Sequence, residues 1–226
     1  MANVTAQTLR PSKAPNLPIA PVEYSQQYQD QFSNALRLYF NQIDNFNASA
    51  GGSNGGQYIQ FPHIAASDGN SQYTTSNTAT VTLWNSLDTG SGFTLNSNST
   101  ATCEYSGVYK IDYSLQFANT DNAQHNVDVW LKINNSNLAN SATTFTLVSR
   151  KTSSIYSYIC AYSHVTFKVN AGDVIGLYWA TDQASNANNS VQGVFMQALP
   201  AITSPYSRPA SPSAVGTIAF VSAPTS

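Results

Sequence analysis

The side chains able to do chemistry are few and scattered along the 226 residues. Three histidines, His63, His125 and His164, lie far apart. None has a second His, Cys or carboxylate at the spacing of a tetrahedral zinc site, so all three are expected as structural or surface residues. Four aspartates, Asp121, Asp128, Asp173 and Asp182, could meet at a loop end and offer oxygens to calcium, but no Asp-rich loop of the usual spacing carries them. No metal and no cofactor is expected. Residues 51–55 read Gly-Gly-Ser-Asn-Gly, a formal match to the nucleophile elbow, in which a strand and a helix hold the serine on a strained turn. Here the flanks are an Ala/Ser-rich stretch and the strand-like QYIQF, so Ser53 reads as a linker residue. Acid catalysis needs two carboxylates in one cleft, and no such pair is marked. Glu23, Asp30 and Asp44 fall on a helical segment as capping or solvated positions. The chain is not expected to be an enzyme. Cys103 and Cys160, the only cysteines, sit in strand-like runs and are expected as buried, reduced thiols.

Composition narrows the partners. Only 9% of residues are charged, 12% are aromatic, and the formal net charge is −2. Such a hydroxyl- and amide-rich surface repels itself weakly and tolerates close neighbours, as a part of a larger assembly must. No Lys or Arg occurs between Arg37 and Lys110, so no phosphate-binding stripe exists and nucleic acid is not an expected partner. No apolar run is long enough to span a bilayer, and the opening MANVTAQTLRPSK lacks the order of a signal peptide. Neither membrane insertion nor secretion is expected.

The elements that must position these residues fall into five parts. Residues 1–22 carry Pro11, Pro15, Pro18 and Pro21 and predict an extended N-terminal arm. Residues 23–46 place Tyr24, Tyr28, Phe32, Leu36, Tyr39 or Phe40, and Ile43 at steps of three to four, the spacing of one helical face. One such helix cannot bury its stripe alone, so it needs the head of its own chain or further copies of itself. Residues 47–56 form a Gly/Ser/Asn linker. Residues 57–200 switch to period two, most clearly in GVYKIDYSLQF, where Tyr109, Ile111, Tyr113, Leu115 and Phe117 share a face. Further strands are expected at 127–133 and 164–169, and near 79–85, 93–96, 100–105, 144–149, 154–161, 174–180 and 191–198, separated by turns such as Asn134-Asn135 and 170–173. About ten short strands without an intervening helix imply an all-β antiparallel sandwich or jelly-roll. Residues 201–226 return to proline and small residues and predict a C-terminal arm, mobile unless neighbouring subunits hold it.

Two resemblances sharpen this reading. The order SGVYKIDYSLQF, VDVWLKINNSNL, HVTFKVNAGDVIGLYW and SVQGVFMQAL, over roughly residues 70–200, resembles the globular heads of the tumour-necrosis-factor and complement superfamily. That resemblance implies a ten-strand jelly-roll assembling as a homotrimer, with some of Trp84, Tyr109, Tyr113, Trp130, Tyr178, Trp179 and Phe195 near the axis. The segment APNLPIAPVEYSQQYQDQFSNALRLYFNQIDN resembles the opening of structural proteins from marine tailed bacteriophages, particularly those of cyanobacteria, and implies a docking or trimerising module. Its matching positions are Pro18, Tyr24, Leu36, Tyr39, Phe40 and Ile43; with Tyr28 and Phe32 they form the expected assembly set. The expected role is a trimeric capsid decoration or head-surface protein of a virion assembled in the host cytoplasm, contacting other capsid, tail or neck proteins. The alternative is a receptor-binding knob of a tail or collar fibre. It would bind a host glycan or receptor through exposed aromatic and amide groups such as Trp84, Trp179 and the SNANNS stretch at 185–190.

Overall fold

The structure, a computed structural model, describes residues 15–19, 21–51 and 61–223 and divides into two compact units, residues 1–60 and 61–226.

The first unit contains one helix, α1 (Gln26–Gly51). Ser25 starts it: its Oγ accepts from the amide of Tyr28 at 3.3 Å, satisfying a donor that the first turn leaves unpaired. Tyr28, Phe32, Leu36, Tyr39 and Ile43 are half-buried along one stripe, with flanking positions exposed. The helix departs from expectation at both ends. Tyr24 precedes it and is 86% exposed, because the Ser25 cap sets the boundary one residue later. At the other end it continues through Gly51, into the stretch expected as a linker, because Asn, Ala and Ser are tolerated in a helix. Ser53 and the rest of that linker lie outside the described residues.

The second unit is a sandwich of two antiparallel sheets. Its strands are β1 (His63–Asp68), β2 (Thr80–Val81), β3 (Ser86–Ser91), β4 (Phe93–Leu95), β5 (Ala101–Cys103), β6 (Gly107–Asn119), β7 (His125–Ile133), β8 (Ser136–Asn137), β9 (Thr143–Leu147), β10 (Ser157–Val169), β11 (Val174–Thr181), β12 (Val194–Met196) and β13 (Ala214–Ser222). One sheet has the order β10-β6-β13-β1-β3, with β12 also on β6; the other runs β4-β5-β11-β7-β8, with β2 on β11 and β9 on β7. The long strands β6, β7, β10 and β11 thus alternate between sheets, which is jelly-roll winding. The turn joining β7 to β8 is the expected Asn134-Asn135, both with positive φ (50° and 64°), as a tight hairpin matching strand twist requires.

Period-two patterning fills the space between the sheets. Tyr109, Ile111, Tyr113, Leu115 and Phe117 of β6 are all buried and face Val127, Val129 and Leu131 of β7 and Leu177 and Trp179 of β11. Phe117 meets Trp179 at 5.4 Å between ring centroids, and Phe93 meets Tyr109 edge-on at 5.2 Å. Each such buried side chain contributes roughly 1.5–3 kcal/mol relative to exposure.

Three strand expectations change. The runs near 154–161 and 164–169 are one continuous strand, β10, paired with β6 along its whole length; the small or polar inward positions Ala161 and Ser163 interrupt its apolar alternation. β1 and β3 were not expected, since HIAASD and SLDTGS carry few large apolar residues. Most consequentially, the C-terminal stretch is not an arm. Residues 214–222 form β13, hydrogen-bonded between β6 and β1 in the middle of its sheet, with Ala214 and Ile218 in the core. The head therefore extends well beyond residue 200. Trp84 explains why the stretch looked weak: its ring lies so close over Gly216 that a Cβ there would sit 2.8 Å from it. The bulk inside this strand is supplied by another segment.

Candidate functional site

The outward faces of the two sheets differ. On the six-stranded sheet, β10 turns Tyr158, Cys160, Tyr162 and His164 outward, and the register sets beside them Ala118, Gln116, Ser114 and Asp112 of β6. Val215 of β13 faces Ser114 from the other side, and Ser67 of β1 follows Val215. The corner holding Tyr158, Cys160, Tyr162, Ser114, Gln116 and Val215 carries no charge, and both tyrosines are about 60% exposed. A groove of about 260 Å³ opens there, lined by Gln116, Tyr158, Ile159, Cys160, Gln197 and Leu199. The charges of this face lie toward its far end, where Lys110 pairs with Asp112 at 2.9 Å and the Tyr162 hydroxyl donates to Asp112 at 3.3 Å.

The seven-stranded sheet presents a more polar surface. Thr144 and Thr146 of β9 donate to Asp128 and Asn126 of β7. Trp130 and Tyr178 lie side by side, half exposed, with centroids 6.3 Å apart. Lys132 Nζ sits 4.4 Å above the Tyr178 ring, and Trp130 Nε1 donates to Asn137, which hold the two rings in place while leaving them half exposed.

The four aspartates considered for calcium do not meet. Asp173 joins Asn134 and the amide of Asn170 at one end of the β7–β11 pair, Asp128 lies on the strand, and Asp121 and Asp182 are at the opposite end. The latter two flank His125, which is not the isolated residue its sequence surroundings suggested. His125 Nε2 is 3.0 Å from Asp121 Oδ2, and Nδ1 is 3.3 Å from Asp182 Oδ2. Asp121 stands four residues before His125, a spacing visible in the sequence, whereas Asp182 arrives only through the β7–β11 register. The hydrogen bond to His125 holds the Asp121 carboxyl below its ordinary value against burial, helped by the Asn122 amide and by Arg150. Burial raises the Asp182 carboxyl, but the Asn126 amide, the His125 ring and the Gln183 amide outweigh it and the net direction is down. The carboxylates address opposite nitrogens of one ring and cannot converge on an ion. Among the described residues, no group of three or more His, Cys, Asp or Glu side chains is arranged to hold a metal.

Other expected sites are redistributed. Cys103 is buried, but Cys160 is exposed because it occupies an outward position of β10. Trp179 is fully buried and cannot contact a ligand; Trp84 is half-buried against Gly216. In the 185–190 stretch the amides close the turn on itself: Asn186 Nδ2 donates to Ser190, Asn186 Oδ1 accepts from Val191 N, and Asn189 Oδ1 accepts from Ser185. Of the expected axis aromatics, Tyr109 and Tyr113 are also fully buried. Burial, with the Cys103 thiol beside it, pushes the Tyr109 phenol well up. Phe195 is buried too, stacked on Tyr73 at 5.1 Å. The residues available to an interface on the six-stranded sheet, Tyr158, Tyr162 and Val215, were not singled out from sequence. The signal was present as the polar-side partners of the period-two pattern, where Tyr stood at positions that alternation assigns to solvent.

Of the expected docking residues, α1 brings Tyr28, Phe32, Leu36, Tyr39 and Ile43 onto one stripe, with Tyr28 and Phe32 stacked at 6.0 Å. Phe40, 57% exposed, points off the stripe, and Tyr24 and half-buried Pro18 lie before the helix. No helix of the described residues is long and apolar enough to cross a membrane.

By class, the second unit is an antiparallel jelly-roll sandwich. No protein-family model and no curated protein matches the sequence. Among solved structures, the globular domain of the zebrafish complement 1qA protein is similar over 73% of this chain and 100% of its own, at 10% identity and a TM-score of 0.43. The Eiger TNF of S. frugiperda is similar over 73% of this chain and 96% of its own, at 15% identity and a TM-score of 0.42.

Proposed function

We propose that the chain is a structural protein of a tailed-phage particle, a homotrimeric capsid decoration or head-surface protein. Its jelly-roll forms the head, and its N-terminal arm and helix dock to the shell or to neighbouring copies. The observation that carries this reading is the uncharged, tyrosine-bearing corner of the six-stranded sheet, on a head whose core is otherwise filled. Exposed aromatic side chains on an uncharged patch suit an interaction face, where tyrosine is enriched and charge is depleted. A cyclic arrangement gives every copy the same two contacts, and three modest attachments made together hold far better than one. The sequence resemblance over residues 70–200 supports threefold closure, and that of residues 14–45 supports a place in a virion. The half-covered stripe of α1, which no second element of its own unit packs against among the described residues, supports its use as the docking piece.

The second reading, a receptor-binding knob on a tail or collar fibre, is favoured by one observation. The half-exposed Trp130 and Tyr178 sit beside Asn137 and Lys132, an aromatic and amide surface of the kind that takes a sugar ring. Light scattering tests the shared premise. The chain is expected to run at three times its 24.3 kDa mass, and the pair Tyr158→Glu, Tyr162→Glu to run as a folded monomer. A monomeric natural chain removes both readings. Quantitative mass spectrometry of purified particles then separates them: a copy number matching a shell-wide array means decoration, and one matching a few fibres means a knob.

A further inference from the structure

On the seven-stranded sheet, period two sends Asp128, Trp130 and Lys132 of β7 outward, because Val127, Val129 and Leu131 between them fill the core. β11 alternates in the same way, with Gly176 and Tyr178 set between the core residues Ile175, Leu177 and Trp179. The antiparallel register places Tyr178 opposite Trp130 and Gly176 opposite Lys132. Residue 176 decides how the tyrosine lies. A Cβ there would stand 2.8 Å from Tyr178 Cε2, so the ring reclines over a position that has no side chain. Trp130 lies beside it, with centroids 6.3 Å apart and planes 29° apart. The pair makes one shallow aromatic floor across two strands.

Two polar groups border this floor, and each has bonding capacity left. Trp130 Nε1 donates to Asn137 Oδ1 at 2.9 Å. That bond orients the exposed amide and leaves its Nδ2 as a donor without a partner among the described residues. Lys132 Nζ stands 4.4 Å from the Tyr178 centroid, held by the negative face of the ring. No carboxylate pairs with it among the described residues. The acids on its own and the neighbouring elements are engaged elsewhere: Asp128 accepts from Thr144, and Asp173 accepts from the Asn134 side chain and the Asn170 amide. Lys132 is therefore a cation fixed beside two aromatic rings with no counter-charge of its own.

We infer that Trp130, Tyr178, Lys132 and Asn137 form a binding site for an acidic glycan, a chain of pyranose rings bearing carboxylates. The C–H face of one pyranose lies on the Trp130 indole, where the ring's negative face meets weakly positive hydrogens. Lys132 takes the carboxylate of that sugar or the next, and Asn137 Nδ2 donates to a hydroxyl. The charge complement selects this ligand over others. A neutral sugar leaves the ammonium unanswered, and one lysine cannot hold a run of phosphates. A protein partner would want a pocket for an anchoring side chain, which a shallow floor does not offer. The inference rests on the second reading, in which this surface takes a sugar ring, and adds the charge of the sugar and the residue that reads it.

The test uses the full chain, with short oligomers of galacturonate, mannuronate and sialic acid, each beside its methyl ester as a neutral twin, titrated by calorimetry. At least one acid is expected to bind at least about tenfold more tightly than its ester, and more weakly as salt rises. Lys132→Met keeps a stem on Tyr178 and is expected to bring the acid down to the level of the ester. Trp130→Ala is expected to lose both, with cooperative melting retained. Equal binding of acid and ester, or a preference that survives Lys132→Met, overturns the acidic site but leaves a sugar surface to the knob reading. Binding of no oligomer overturns the site, while the copy number per particle still decides between knob and decoration. Should Trp130→Ala fail to fold, the indole N–H resonance of Trp130 in the natural chain decides: a shift on adding the acid supports the site, and shifts confined to other residues overturn it.

Discussion

Thr82 shows how a single buried atom can work against the fold. The residue is fully buried, its amide donates to the carbonyl of Leu177 at 2.8 Å, and its Oγ1 has no hydrogen-bond partner among the described residues. A hydroxyl taken from water without a partner is destabilising, and a methyl of the same shape is not. Thr82→Val is therefore expected to hold or raise stability, by up to about 1 kcal/mol, seen as an equal or higher urea midpoint with an unchanged slope. A lower midpoint would mean the hydroxyl is bonded in solution. Residue chemistry was unevenly legible in the sequence. The i, i+4 spacing of Asp121 and His125 could be read from the sequence, because it is local. The pairing of His125 with Asp182 could not, because it depends on which residue just beyond β11 lies beside Asn126.

At the scale of elements, large inward residues made strands readable and small ones hid them. β6 declared itself because five of its inward positions are Tyr, Ile, Leu or Phe. β13 did not, because Ala214 and Gly216 occupy two of its inward positions and Trp84 fills the space above them. The helix was legible from its stripe, but not its end, since the glycine-rich run begins inside it. The position of β13 makes a sharp prediction. A chain stopped after Ser213 would leave β1 and β6 with facing, unpaired edges and a slot in the core. It is expected to lose its near-ultraviolet circular dichroism and cooperative melting. A folded product would restore the C-terminal stretch to the status of an arm. Removing residues 1–46, in contrast, takes away most of a separate unit and is expected to leave the head folded, with its near-ultraviolet circular dichroism and cooperative melting intact.

For the whole molecule, a chain with only 9% charged residues makes association depend on shape and apolar contact more than on ionic attraction. The mass of the proposed trimer is accordingly expected to stay the same from low to high salt, since screening has little to act on; dissociation at high salt would place the Lys110–Asp112 end of the face at the interface instead. The path of the chain through its central sheet also has a consequence during synthesis. β6 ends at Asn119, yet the strand that seals it to β1 begins only at Ala214. On the ribosome, β1 and β6 emerge long before the piece that joins them, and hold bare backbone edges in the meantime. Nascent heads crowded on one messenger are exposed in that interval to pairing with each other, so yield should fall with expression rate and recover when translation is slowed or a chaperone shields the waiting edges.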